Sequence, residues 1–524
     1  MKSPGTSTYR GATLAVVAIL FLHAVGAAQQ RPTAAADSGD AAIRALQDQV
    51  RQLQATLEDM RAENAESRAE MHQLRQDLQA TRALLEKPAS AGSDVVAQTE
   101  PADAKSDSSA GLQNKPTLDD RVQKLEESTS LIGSKIDEQY QTKVETASKY
   151  RARLHGIVLM NAFRNVGGSD NLDFPEYALP LSRFVSRASV GATLRQSQIG
   201  LEIFGPAVAG AKTSADIQFD FAGGFPETGN GVNFGIARLQ TANLRLDWEH
   251  TSVVAGQDSL FLSPLSPTSF ASLATPAFAF AGNLWGWTPQ LRLEHRFSIS
   301  DQQTITMQAG ILDNLDWEFN GGSFERTPQA GEMSGQPGYG FRTAWSRPIR
   351  QHPLNFAAAG YYGRQNWAWS RYADAWAGMA DWQIPIVARL QLSGEFYRGR
   401  GIGGLGGGIG TSVVYGGSAA YSPLRAVNTA GGWSQLKFQL TPKIEVNGVV
   451  SQDDAFTGDI RGFATDQNNG GLILGRNRGA LGNVVFRPRS DLVMSAELKR
   501  LRTFPVYSNS ISINQVNLAL GILF

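Results

Sequence analysis

The apolar positions of this chain repeat with one period before residue 151 and with another after it. Ile43, Leu46, Val50, Leu53, Leu57 and Met60 are spaced alternately three and four apart. After Asn64 and Ser67 the series resumes through Met71, Leu74, Leu78 and Leu85. That is a heptad seam with Glu, Arg, Gln and Asp on the other faces, and it predicts an α-helical coiled coil over 29–86. The apolar stripe is too narrow to stabilise a lone helix, so the segment needs partner chains. Asn64, at a seam position, costs stability but fixes register. A shorter series, Leu118, Val122, Leu125, Ile132 and Ile136, predicts a second coiled-coil segment over 118–150, broken at Thr129. Between them, 87–117 is rich in Ser, Ala and Asp, carries Pro88, Pro101 and Pro116, and reads as a flexible linker.

From Arg151 onward the period is two. Ser214, Asp216, Gln218 and Asp220 alternate with Ala215, Ile217, Phe219 and Phe221. Gln290, Arg292, Glu294 and Arg296 alternate with Leu291, Leu293, His295 and Phe297. In the last stretch Val516, Leu518, Leu520, Ile522 and Phe524 point one way, and Gln515, Asn517, Ala519 and Gly521 the other. Such alternation makes strands with one apolar and one polar face. About sixteen are predicted, near 151–165, 187–205, 211–221, 235–248, 251–258, 288–298, 302–313, 338–349, 352–366, 371–386, 388–401, 431–442, 443–454, 474–487, 491–503 and 511–524.

The joins separate a soluble sandwich from a membrane barrel. One set is short, as at His250-Thr251, Pro385-to-Arg389 and Thr441-Pro-Lys443. The other is mostly long, as at 166–186, 222–234, 259–287, 314–337, 402–430 and 455–473. Tight turns at one end and long loops at the other are the pattern of a transmembrane β-barrel. The fold class expected is therefore an all-β transmembrane barrel of about 16 antiparallel strands over 151–524, preceded by the coiled coil. An even strand number puts both strand termini, and the coiled coil, at the short-turn, periplasmic end. A sheet in lipid cannot leave an edge unpaired, so the last strand must close on the first near Leu154–Met160. Trp345, Trp367, Trp369, Trp376, Trp382 and Trp433 fall near predicted strand ends, where aromatic girdles belong.

The first 28 residues fit this picture as a signal peptide: Lys2 and Arg10, the apolar run Leu14 to Val25, then small residues for cleavage. The expected location is the outer membrane of a Gram-negative cell. Zero net charge argues against a nucleic-acid binder. With no cysteine and scattered histidines there is no metal-ligand spacing, and no catalytic elbow or phosphate loop appears, so neither an enzyme nor a cofactor is expected. Gly401 to Gly410 has the composition of a phosphate cradle but lacks the following Lys-Ser/Thr; it reads as an outer loop.

What chemistry remains lies on the inward face. Arg238, Arg245, Arg292, Glu294, Arg296, Arg342, Arg389 and Lys437 are the expected pore-lining and solute-binding residues, with Asp258 at the start of a long loop. Guanidinium groups grip carboxylate or phosphate with two parallel bonds; alternatively, these arginines pair with acids on the same wall. The loop Leu260 to Trp287 is rich in Pro, Ser, Ala and Phe with almost no charge. It is expected to fold into the barrel and narrow it, or to pack at a subunit interface.

Signal peptide, coiled coil and sixteen-stranded barrel together resemble the DcaP-like trimeric porins. The local likeness lies in Arg195-Gln-Ser-Gln-Ile-Gly-Leu201, Ala215-Asp-Ile-Gln-Phe-Asp-Phe221, Ala237-Arg-Leu239, Val254-Ala-Gly-Gln257 and Pro289-Gln-Leu-Arg-Leu293. Where that family tends to carry an aromatic-Ser pair after Gly-Gln, this chain has Asp258-Ser259. Phosphate-selective porins are the nearest competing family, but they favour lysine clusters and this barrel is lysine-poor. The resemblance implies a homotrimer in outer-membrane lipid that admits small anionic solutes, dicarboxylates in particular. Phe524 would be read by the barrel-assembly machinery. The alternative is a structural envelope protein, a barrel anchor whose coiled coil reaches toward peptidoglycan.

Overall fold

The computed structural model describes residues 143–144, 151–225, 235–314, 316, 326–349 and 352–524. The signal peptide, the first coiled coil, the linker and nearly all of the second coiled-coil segment lie outside the described residues.

Among the described residues, sixteen long strands form an antiparallel barrel. In chain order they are β1 (Arg151–Val166), β2 in two pieces (Ala188–Thr193 and Gln198–Phe204), β3 (Lys212–Asp220), β4 (Arg238–Asp247), β5 (Thr251–Ser259), β6 (Trp287–Ser300), β7 (Gln303–Leu312) and β8 (Gly338–Ile349). Then follow β9 (His352–Asn366), β10 (Tyr372–Val387), β11 (Leu390–Arg400), β12 (Asn428–Thr441), β13 (Ile444–Ala455), β14 (Leu474–Arg489), β15 (Leu492–Pro505) and β16 (Ile511–Leu523). Each pairs with its sequence neighbour, and β16 closes on β1 from Ile157↔Leu523 to Val166↔Asn514. The sixteen strands and the closure match the sequence expectation.

Burial follows the alternation. Along β10, Tyr372, Asp374, Trp376, Gly378 and Ala380 are exposed, while Ala373, Ala375, Ala377, Met379 and Asp381 are buried. In β16, Val516, Leu518, Leu520 and Ile522 are exposed outside; Gln515, Asn517 and Ala519 are buried inside. Large apolar groups face out and polar ones face in, the inverse of a soluble sandwich and the arrangement a lipid-embedded barrel needs. Trp433 departs from the expected girdle: it points inward and packs with Phe278, Val449 and Leu481.

The closing seam depends on a small residue. Phe524 N donates to Gly156 O at 3.1 Å, and Gly156 N donates to Phe524 O at 2.9 Å. A side chain on Gly156 would meet Gln198 O at 2.3 Å and the Phe524 ring at 2.8 Å. Gly156→Val is therefore expected to loosen the seam by about 1–3 kcal/mol. The check is the temperature at which the folded barrel unfolds in detergent gels; an unchanged transition would contradict the packing argument.

Candidate functional site

The loop after β5 enters the barrel, as its apolar, uncharged composition predicts. Leu260, Phe261, Leu262 and Leu284 pack on inward residues of β7, β9, β10 and β11, among them Leu312, Tyr361, Met379 and Tyr397. Ala277, Phe278 and Ala281 pack on Trp433, Val449, Leu481 and Leu501. Phe278 and Phe280 hold positive φ angles of 63° and 55°. For bulky residues that backbone costs roughly 1–3 kcal/mol and persists only where surroundings over-determine it. Gly479 supplies part of that fit, since a Cβ there would lie 2.2 Å from the Phe278 ring.

Polar bonds then tie the loop across the lumen. Thr268 N donates to Gln435 Oε1 at 2.7 Å, and Asn483 Nδ2 to Thr268 O at 2.8 Å. Ser269 Oγ donates to Glu497 at 2.6 Å, and Lys499 Nζ to Ser272 Oγ at 2.9 Å. Asn161 Nδ2 donates to Phe270 O at 2.8 Å, and Ser263 Oγ to Glu395. Gln196 donates to Ala271 O at 3.1 Å and accepts from Leu273 N at 2.7 Å. This last pair explains why the predicted 187–205 strand is broken. Leu194–Ser197 leave the ladder so that the fully buried Gln196 can hold the loop.

Two further loops join it. Gly401–Gly410 was expected as an outer loop; instead Ile402, Leu405 and Ile409 are buried, and Trp285 N donates to Leu405 O at 3.1 Å. Seven of its ten residues are glycine, and at Gly403, Gly406 and Gly410 backbone or a ring lies where a side chain would be. Ile409 N donates to Asp453 at 2.7 Å. From the first long loop, Asn477 Nδ2 donates to Glu176 O at 2.8 Å and Gln515 Nε2 to Asp173 O at 3.0 Å.

The charged residues form a paired ladder on the wall from β3 to β10. Arg292 binds Asp258 at 2.8 Å and approaches Glu294 at 3.5 Å. Arg245 bonds Asp247 at 2.8 Å and Glu294 at 3.1 Å, and Arg296 reaches Glu294 at 3.5 Å. Arg342 donates to both oxygens of Asp381 at 2.9 Å. Arg238 meets Asp220 and the loop carbonyl of Ala274. Register explains the grouping: Arg292 opposes Val254 on β5 and Gly310 on β7, so Gln308 stands one same-face step and Asp258 two same-face steps along the neighbouring strands, within reach of the long Arg292 side chain. Of the two possibilities left open by the sequence, pairing with wall acids is the one observed.

No protein-family model matches the chain, and no curated protein matches it. Solved structures do. The outer-membrane channel DcaP of Acinetobacter baumannii matches with a TM-score of 0.54 at 14% identity, covering 72% of this chain and 99% of that one. The barrel has the DcaP fold. An anion-selective porin from Comamonas acidovorans matches with a TM-score of 0.43 at 11% identity, over 72% of this chain and 100% of that one.

Within this DcaP-type barrel the sequence-predicted residues divide. Arg238, Arg245, Asp258, Arg292, Glu294, Arg296 and Arg342 are brought together on one side. Lys437 stands apart, 3.5 Å from Glu445, which Arg487 also approaches at 3.8 Å. Arg389 is not on a strand face. It occupies the exposed turn Ala388–Arg389, because the β10–β11 hairpin closes there and β11 begins at Leu390. The residues that sequence reasoning missed are the uncharged anchors Asn161, Gln196, Gln435 and Asn483. Their only signal was an amide at an inward-facing position.

The first loop carries a pH-sensitive element. Burial, then the neighbouring Asp170 charge, push the Glu176 carboxyl up to about 8; Thr275 and Lys499 pull the other way. Asp170, whose Oδ1 accepts from Glu176 N and Tyr177 N at 3.0 Å, is also raised, chiefly by burial, and Tyr177 is pushed up to about 12. Docked, the loop holds a proton that the undocked loop releases near 4.5. The docked state is thus favoured at low pH and loses that advantage as pH rises through about 8. Amide exchange of 170–178, corrected for intrinsic rates, is expected to show less protection at pH 9 than at pH 6. Glu176→Gln should flatten the dependence; a variant that keeps it would assign the titration elsewhere.

Proposed function

We propose that this chain is an outer-membrane channel through which small hydrophilic solutes diffuse passively, working as a trimer with its long loops outside and its short turns in the periplasm. The observation that carries the reading is the closed barrel with an apolar outside and a polar, charged inner wall narrowed by an inward loop. A loop so placed sets the size limit, and the wall charges set preference. The expectation of small anions, dicarboxylates included, is supported by the ladder in a modest form. The ladder guanidinium groups already hold carboxylates, the group a dicarboxylate would offer, so such a solute would compete with Asp258 or Glu294 for Arg292. The same pairing keeps the wall close to neutral, so neutral solutes also pass.

Reconstitution into planar bilayers tests this. Steady open steps, with liposome swelling by small dicarboxylates at least as fast as by neutral sugars of equal size, are expected. A barrel that never opens would overturn the channel reading and favour a structural anchor.

A further inference from the structure

Several arginines lie on the outside of the barrel, where the solute path does not use them. The outward face of β15 changes character within one step: Leu498 is 64% exposed, and the next two outward residues are Arg500 and Arg502. Arg502 stands directly opposite Arg478 of β14. Both are exposed. Their guanidinium groups lie 4.9 and 5.6 Å from the Phe504 ring, and that of Arg476 lies 5.9 Å from it. Arg476 is paired with Asp454 at 2.7 Å. Arg478 bonds Gln452 at 2.7 Å and Arg502 bonds Ser510 at 3.0 Å, and neither has a carboxylate partner among the described residues. Like charges facing each other across a sheet repel. At the border of an apolar belt, with less water to screen them, they call for an anion between them.

The wall beside this cluster is grooved. A hollow of about 490 Å³ is lined by Trp382, Phe396, Gly432, Ser434 and Val450, and it runs up to Gln452 and Asp454. Those two are the register partners of Arg478 and Arg476. Small residues on β12 thus floor a trough with aromatic sides, and the trough ends at the arginines. On the loop side of the arginines, a cavity of about 880 Å³ is lined by Arg461, Arg476, Phe504, Tyr507, Ser508 and Asn509.

We propose that this face binds one phosphorylated glycolipid of the surrounding leaflet. Its phosphates bridge Arg478 and Arg502, an acyl chain lies in the trough, and the sugar faces Tyr507, Ser508 and Asn509. Clustered cations at a membrane border recognise anionic headgroups in this way, and guanidinium suits phosphate because it offers paired donors. The trough selects a lipid over free phosphate. The inference rests on the outer-membrane reading above, which places the long-loop end of the barrel in the outer leaflet.

The test uses the full-length protein in detergent with a diphosphorylated, acylated glucosamine disaccharide, and counts retained lipid by native mass spectrometry. Wild-type protein is expected to keep the lipid through added 100-fold inorganic phosphate. The Arg478→Gln/Arg502→Gln variant, the dephosphorylated lipid, and Ser434→Trp in the trough should each lower retention about tenfold. Single-channel conductance, unchanged in the variants, shows that they fold. Equal retention by wild type and the arginine variant overturns the proposal. So does displacement by inorganic phosphate, or equal retention of a phospholipid with one phosphate. If wild type keeps no lipid and the arginine variant instead dissociates the oligomer, the face is a contact between copies and the proposal is wrong. A wild type that binds the lipid but never conducts would sink the channel reading alone.

Discussion

Replacing residues 264–283 by a short Gly-Ser linker is expected to raise single-channel conductance several-fold. The ends of this segment already meet: Ser263 Oγ donates to Leu284 O at 2.9 Å, and Leu260 N to Gly286 O at 3.0 Å. A few residues can therefore close the gap without moving β5 or β6. The excised part crosses the lumen to β1, β12, β14 and β15, so its loss opens the section where the barrel is fullest. Its polar anchors, Asn161, Gln435, Asn483, Glu497 and Lys499, would then face water that fills the vacated space, and the barrel has no reason to collapse. The apolar contacts of Phe278 with Trp433, Val449 and Leu481 would be lost, so the unfolding temperature should fall. Conductance equal to wild type would mean that ions pass elsewhere, and that the segment only fills the interior.

How much of this could be read from the chain follows from the physics of each signal. Alternation in β10 and β16 is a purely local pattern, and it located strands and their lipid faces to within a few residues. Closure of Ile157 on Leu523 followed from the rule that lipid tolerates no open edge. The low charge of Leu260–Trp287 showed that the loop leaves water, since so apolar a segment gains by burial, but left open whether it enters the barrel or packs at a subunit interface. The break at Leu194–Ser197 was not legible, because it answers to a loop some 75 residues later in the chain through Gln196. The inward Trp433 was misread because an aromatic at a strand end has the same local signature whether it meets lipid or a loop. Glycines 401–410 show composition only; what they pack on, Trp285 and Phe280, belongs to another loop. For the same reason the sequence placed the arginines other than Arg389 on the wall but could not decide between free and paired.

That pairing has an electrical consequence. In the double variant Asp258→Asn/Asp381→Asn, Arg342 loses its partner at 2.9 Å and Arg292 loses Asp258 at 2.8 Å and keeps only Glu294 at 3.5 Å, so the wall gains net positive charge. The reversal potential in a salt gradient should move toward anions. In Arg292→Gln/Arg342→Gln the same two carboxylates are left unpaired, and the shift should be toward cations. A charge removed from a neutral pair exposes its full opposite, so each shift should exceed that from neutralising an exposed residue such as Arg389. Open conductance should change little in the Asn variant, because Asn is isosteric with Asp, and should rise only modestly in the Gln variant, where a shorter side chain replaces each Arg. Both shifts should shrink as salt rises, since the screening length falls from about 10 Å at 0.1 M to about 3 Å at 1 M. The opposed signs protect the test against a merely loosened barrel, which would move both variants the same way. If both variants kept the wild-type reversal potential, the ladder would lie off the ion path, and exchange of solute carboxylates at Arg292 would be excluded with it.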